Sequence, residues 1–315
     1  MSAAPEQGVI DLRSDTATRP SAEMLAEMLH APLGDEQRRE DPTVLELEQL
    51  AAGLLGQAAA IYLPTATMAN QIGVRILTQP GDEMLAEESS HLFAAELGGV
   101  AVHSGVSTRS IAAPSGRFTP EQVRAKLRDW GRFHTPPTTL LAVEDTHNAS
   151  GGRYWRPEEL TAVVATARDA GLKLHLDGAR LFNAAVARGR PAAQDAGQFD
   201  TVCVCFSKGL GAPLGAVLAG SEELMERARA EKHRFGGAMR QAGVVAAAAL
   251  YALRHNVERL ATDHARARRL AEHGVLLSGT LDPGVFRAVT HLDIGDHDID
   301  AAIERIPRAL AGVGV

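Results

Sequence analysis

Thr201-Val202-Cys203-Val204-Cys205-Phe206-Ser207-Lys208-Gly209-Leu210-Gly211 decides the fold. Residues 201–206 are apolar and rich in β-branched side chains, the mark of a short strand buried on both faces. The strand stops at Ser207-Lys208-Gly209, and Gly209 and Gly211 then let the backbone turn sharply. The carboxyl end of an interior strand is an odd place for a solvated charge. In open α/β sheets it is where ligands bind. Lys208 is one of only four lysines in a chain that otherwise takes its positive charge from arginine. Lys126 and Lys232 fall on charged helical patterns, and Lys173 precedes the strand 174–176. If a lysine does chemistry here, Lys208 is the candidate.

Outward from this stretch, strand and helix signals alternate. Apolar runs predict strands at 58–63, 83–86, 100–103, 140–144, 172–176, 201–206 and 215–219. Helical spacing and capping residues predict helices at 20–30, 42–55, 68–78, 91–97, 119–128, 157–170, 221–233 and 239–254. In the second of these, Asp41 is placed to cap, and Val44, Leu47, Leu50 and Leu54 form the expected buried stripe. Such alternation implies right-handed crossovers and an α/β fold with a mainly parallel sheet flanked by helices. Residues 256–315 read differently: a helix to His273, short segments at 275–277 and 286–294, and a helix from Asp298. The expected organisation is an N-terminal segment (1–19), a large domain (20–255) and a small C-terminal α+β domain (256–315). The loops at 136–137 and 189–197 are the expected mobile connections.

The 315 residues carry a net charge of −7 with a pI of about 6.0, so no basic surface points to nucleic acid. The N-terminus lacks a signal-peptide pattern, and the apolar run 242–253 is too short to span a bilayer. Cys203 and Cys205 share one strand face, a poor geometry for a disulfide, and read as small core residues. The expectation is a cytoplasmic protein with a small-molecule substrate and no nucleic-acid or membrane partner.

Chemistry gathers at strand ends. His175-Leu176-Asp177 closes one strand with a carboxylate, and the next ends at Lys208. An amine nucleophile and a carboxylate on one crevice suit pyridoxal 5'-phosphate (PLP): the lysine forms a Schiff base and the carboxylate holds the pyridine nitrogen protonated. A structural pair of Asp177 with a lysine or with Arg180 is the plainer alternative. Thr65-Ala66-Thr67, between a strand and a helix, offers backbone N–H groups and a hydroxyl to a phosphate, or else Thr67 is an ordinary helix cap. His91 is placed to stack on a ring or simply to open a helix. Ser14, Arg180, Arg240 and Arg287 are candidate anion ligands or surface polar groups. Asp293-Ile294-Gly295-Asp296-His297-Asp298 reads as a turn and helix cap, and no metal site is expected.

Order and company sharpen these readings. The segments Asp11-Leu12-Arg13-Ser14-Asp15-Thr16, Asp41-Pro42-Thr43, Pro64-Thr65-Ala66-Thr67-Met68-Ala69-Asn70 and Glu144-Asp145-Thr146-His147-Asn148 recur in one order. They are followed by His175-Leu176-Asp177-Gly178-Ala179-Arg180, Phe206-Ser207-Lys208-Gly209-Leu210-Gly211, Gly236-Gly237-Ala238-Met239-Arg240-Gln241 and Val289-Thr290-His291-Leu292-Asp293. Together they resemble the low-specificity threonine aldolases of the β-eliminating lyase group, PLP enzymes of the aspartate aminotransferase fold (PLP fold type I, with a seven-stranded-type sheet). The resemblance implies that Lys208 carries the cofactor, Asp177 pairs with its ring nitrogen, and His91 stacks on the ring. It implies phosphate binding by Ala66 and Thr67 with Arg240, the last from a neighbouring subunit. Ser14, Arg180 and Arg287 would bind the substrate carboxylate, and His134 would approach the substrate hydroxyl. His91, His134 and a bound water are the alternatives for the base. A homodimer or homotetramer with shared active sites follows from the same resemblance.

The activity implied is retro-aldol cleavage of L-threonine or L-allo-threonine to glycine and acetaldehyde. A β-eliminating lyase, another β-hydroxy-amino-acid aldolase, and a PLP-binding but inactive protein are the alternatives. A dinucleotide-binding dehydrogenase is disfavoured, since no Gly-x-Gly-x-x-Gly follows a strand. The chain departs from the family pattern at Gln37-Arg38-Arg39, where a tyrosine and a glycine are usual, and at Ala66 and Ala238, where glycines are usual. It also lacks a strand–helix unit after His273, so the small domain is expected to be shortened.

Overall fold

The structure, a computed structural model, describes residues 9–128, 133–273 and 287–311. Its centre is one seven-stranded sheet: β1 (Ala59–Leu63), β2 (Glu83–Glu87), β3 (Ser107–Ile111), β4 (Thr138–Glu144), β5 (Lys173–Asp177), β6 (Thr201–Cys205) and β7 (Ala216–Gly220). The spatial order is β1-β7-β6-β5-β4-β2-β3. Strands β2 to β6 pair in parallel, and β7 runs antiparallel between β6 and β1. An antiparallel neighbour needs no crossover helix, so the chain returns from β6 to β7 through the short loop that holds Lys208. With β7 reversed against both neighbours, β1 points the same way as β6.

Around the sheet lie α1 (Ala22–His30), α2 (Pro42–Leu55), α3 (Ala66–Leu77), α4 (His91–Ala94), α5 (Gly99–Ser104), α6 (Pro120–Lys126), α7 (Pro157–Asp169), α8 (Leu181–Arg188) and α9 (Ala193–Ala196). They are followed by α10 (Glu222–Arg234), α11 (Gly243–His255), α12 (Leu260–Glu272) and α13 (Asp296–Ala311). One core packs Leu47, Leu55, Val163, Leu253 and Phe206 together; a second, on the α3–α10 side, holds Ile61, Ile72, Leu218 and Met225. Ile294, Ile299 and Leu270 form a separate small cluster with Ile10 and Leu12 packed against it, so the N-terminal segment joins the C-terminal layer.

Several expectations change. Residues 100–103 are the helix α5, not a strand: Gly98 and Gly105 bracket it in the left-handed region, and Val102 is exposed. The strand in that region is the unanticipated β3, polar along most of its length because it forms the sheet edge. On α2 the buried stripe is Val44, Leu47, Ala51 and Leu55, while Leu54 lies on the open side. The 189–197 loop contains α9, and its Asp195 is fully buried between Arg188 and Arg190. Pro137 is likewise held, its carbonyl accepting from Glu83 N at 2.8 Å. Lys232 is no surface charge: it is 2 % exposed and donates to Glu36 Oε1 at 2.6 Å. The segment expected at 275–277, and the start of the one at 286–294, lie outside the described residues, as does the site of the expected shortening.

Candidate active site

Register places the strand ends together. Leu63, Ala216 and Cys205 face one another across β1, β7 and β6, and Glu144, Asp177 and Cys203 across β4, β5 and β6. Onto this line come the start of α3 after β1, Lys208 after β6, Asp177 at the end of β5, Glu144 at the end of β4, and His91 just beyond β2. Lys208 has no hydrogen-bond or ion-pair partner among the described residues. Its charge acts on His91 and on Asp15, which places all three in one neighbourhood.

Asp177 is buried, accepting from Asn70 Nδ2 at 2.8 Å on Oδ2 and from Ala179 N at 3.2 Å on Oδ1. Asn70 Nδ2 also donates to Glu96 Oε1 at 2.9 Å, and Gln71 Nε2 donates to Glu96 Oε2 at 2.5 Å. Beneath Asn70, its Oδ1 lies 3.1 Å from His175 Nε2, whose Nδ1 lies 2.8 Å from Thr201 Oγ1. His91 is held twice: its backbone N donates to Glu144 Oε2 at 2.7 Å and its Nδ1 meets Glu96 Oε1 at 2.8 Å. The hydrogen bond to Glu96 keeps the His91 pKa above the ordinary histidine value, against the effect of burial. Glu144 has a raised pKa, through burial first and the nearby charge of Asp177 second.

The arginines form a second cluster. Arg180 grips Asp15 through Nε and Nη2 at 2.7 and 2.6 Å, and its Nη1 donates to Asn148 Oδ1 at 3.0 Å. Arg287 Nη1 donates to the same Asn148 oxygen at 2.6 Å, while its buried Nε has no partner among the described residues. Although burial opposes ionisation, the Arg180 guanidinium holds Asp15 below the usual carboxylate range. Asp15, Asn148, Arg180 and Arg287 line a cavity of about 410 Å³, with Tyr154 and His264 at its wall.

The other expected residues fall as follows. Thr65, not Thr67, caps α3, accepting from Met68 N at 3.1 Å. The N–H groups of Ala66 and Thr67 make no bond among the described residues, and the exposed Thr67 hydroxyl is likewise unengaged. The Ser14 hydroxyl caps the short turn at 15–17 and donates to Asp15 Oδ1 at 3.5 Å, the carboxylate that Arg180 grips, and makes no bond to an arginine among the described residues. Arg240 is 63 % exposed and paired with Asp35 at 3.0 Å, away from the cluster in its own chain. His134 is exposed and packs edge-to-face on Phe133, four residues before the amino end of β4. Seven strand residues at ~3.3 Å each separate that end from the site, so His134 does not reach its own chain's cluster.

The sequence reading missed Asp15, Asn70, Glu96 and Asn148. Asp15, Asn70 and Asn148 lie within the quoted segments; Glu96 had no signal, because only burial under His91 makes it more than a helix glutamate.

The residues fit PLP. The unengaged Lys208 amine, the anchored Asp177 carboxylate and the free N–H groups at the start of the 12-residue α3 are what an aldehyde carbon, a pyridine nitrogen and a phosphate require. An amine and a carboxylate at adjoining strand ends, flanked by an arginine cluster, define an α/β enzyme that works on small anionic substrates. The Beta-eliminating lyase profile matches residues 11–292, and the chain belongs to that family. It is 41% identical over 266 residues to low-specificity L-threonine aldolase 1 of Arabidopsis thaliana, covering 84% of this chain and 74% of that one. The threonine aldolase of Leishmania major shares the fold with a TM-score of 0.82 at 18% identity, covering 95% of this chain and 99% of that one. Serine palmitoyltransferase from S. paucimobilis, with bound PLP–myriocin, gives a TM-score of 0.70 at 18% identity over 96% and 87% of the two chains.

Proposed function

We propose that this chain is a PLP-dependent aldolase that cleaves β-hydroxy-α-amino acids, L-threonine or L-allo-threonine, to glycine and acetaldehyde. The observation that carries it is the Lys208 amine, without a partner among the described residues at the end of β6, beside an anchored Asp177 at the end of β5. Family membership and the names of the relatives support the same reading.

When bound, PLP supplies an electron sink for the charge left on the substrate Cα. Lys208 is the residue to hold it covalently, and Asp177 the one to keep its ring nitrogen protonated. The N–H groups of Ala66 and Thr67 take the phosphate, aided by the positive end of the α3 dipole. Arg240 is exposed and thus open to contribute to the phosphate site of a second copy. Arg287, with Arg180 behind it, receives the substrate carboxylate. Arg180 already spends two donors on Asp15, so Arg287 is the freer of the two cations. Because Glu96 occupies His91 Nδ1, Nε2 is the nitrogen left to take the β-hydroxyl proton, directly or through a water.

The test is Lys208→Ala, scored for the visible absorbance of bound PLP and for release of glycine from L-threonine. Loss of both is expected, and wild-type activity in the variant would refute the assignment. Product analysis separates the lyase alternative, which releases an α-keto acid and ammonia instead of an aldehyde and glycine.

A further inference from the structure

The ligand atoms of His91, Glu96 and Asp177 all lie within 4.8 Å of one another. Glu96 and Asp177 are both buried, and two carboxylates that close in a buried site ordinarily share a proton. A shared proton would defeat both groups: Asp177 has to be an anion to hold the ring nitrogen protonated, and Glu96 has to be one to hold His91 by Nδ1. The group between them is Asn70, with one Nδ2 hydrogen for Glu96 Oε1 and the other for Asp177 Oδ2.

The direction of that amide is decided below it. Turning the amide over would aim its oxygen at two carboxylate oxygens. With the nitrogen upward, Oδ1 faces His175 Nε2, which must then carry a hydrogen. His175 Nδ1 is therefore bare and accepts from the Thr201 hydroxyl. His175 is fully buried, and burial lowers its pKa to about 4, so this single neutral tautomer persists at working pH. The chain Thr201–His175–Asn70 carries no proton; it fixes a dipole. Gly73 makes room for it, since a Cβ there would lie 2.6 Å from His175 Cε1.

We propose that Asn70 is a positioning residue that lets Asp177 and Glu96 stand side by side as anions, with His175 and Thr201 fixing the direction of its amide. The inference rests on the PLP reading for its catalytic meaning, though not for its electrostatics.

The experiment compares wild type, Asn70→Ala and Thr201→Val as full chains, with and without PLP. Without PLP, infrared difference spectra across the pH range should show in Asn70→Ala one more buried protonated carboxyl than in wild type, where burial already raises the pKa of Glu144 and of Asp145. With PLP, kcat of the variant should fall about 10-fold or more while KM changes by less than about 3-fold. The acid limb of its pH profile should move upward, because the working anion forms only above the raised pKa. Thr201→Val should move the same readouts in the same direction by less, and it decides the matter if Asn70→Ala does not fold. A wild-type infrared titration and pH profile in the folded variant overturn the inference. A wild type that neither binds PLP nor releases glycine defeats the functional reading instead, and the PLP-free spectra then still judge Asn70.

Discussion

Gly73→Ala puts the buried histidine to a test of magnitude and sign. Gly73 lies inside α3, where alanine is ordinarily the better residue by about 1 kcal/mol. Its added Cβ would sit 2.6 Å from His175 Cε1 and 2.8 Å from Nδ1. The ring cannot withdraw, because Thr201 and Asn70 hold its two nitrogens and β5 holds its backbone. Overpacking of this kind costs about 1–3 kcal/mol, and breaking one of the ring's hydrogen bonds adds about 1 kcal/mol. After the helix gain is subtracted, the variant should be about 1–3 kcal/mol less stable. Gly53→Ala in α2 is the control, since a Cβ there meets nothing within 4 Å and should gain up to ~1 kcal/mol. Urea unfolding of both variants, stripped of PLP so that ligand binding does not shift the midpoint, reads the difference. If Gly73→Ala matches or exceeds wild-type stability, the pinned ring is wrong.

Three further perturbations have defined outcomes. His175 is depressed from 6.5 to about 4 by burial, so its contribution is full above pH ~6.5 and is shed as the pH falls toward 4, amounting to about 3 kcal/mol at the acid end. His175→Gln should be less stable at neutral pH yet show a flatter stability profile between those values in denaturant titrations. Arg287→Ala should raise KM for L-threonine roughly 10-fold or more, with the smaller effect on kcat, in steady-state assays of acetaldehyde release. Arg39 has φ 59°, a left-handed conformation that costs a non-glycine residue roughly 1–2 kcal/mol. Its ion pair with Glu226 joins two side chains each more than half exposed and returns little. Arg39→Gly should therefore raise the thermal midpoint, as measured by circular dichroism.

That last position shows how far sequence reading extends. A glycine stands where Arg39 does in the family pattern, and the structure supplies the reason in a backbone angle that no composition reveals. The strands of the sheet interior were legible because burial on both faces demands apolar runs, as in β6 and β7. The sheet edge was not: β3 is polar because it has only one neighbour, and α5 borrows strand-like valines to pack one side against the sheet's helices. Charge was the other blind spot. Lys232 and Glu96 look like solvated helix residues in sequence, and only tertiary packing buries them against Glu36 and His91.

By itself, the sequence determined the α/β architecture, Lys208 as the odd cation at a strand end, and Asp177 as its neighbouring carboxylate. Those follow from local rules: apolar strand periodicity, turn-forming glycines, and charge at a position where the chain leaves the sheet. Which groups flank the lysine was decided only by the tertiary structure. It drew Asp15 from the N-terminal segment onto Arg180, brought Asn148 between two arginines, and set Asn70 across Asp177 and Glu96. Hydrogen bonds act over about 3 Å, and the residues that make these ones are separated in sequence by as many as 165 positions, so that only the folded chain brings donor and acceptor into range.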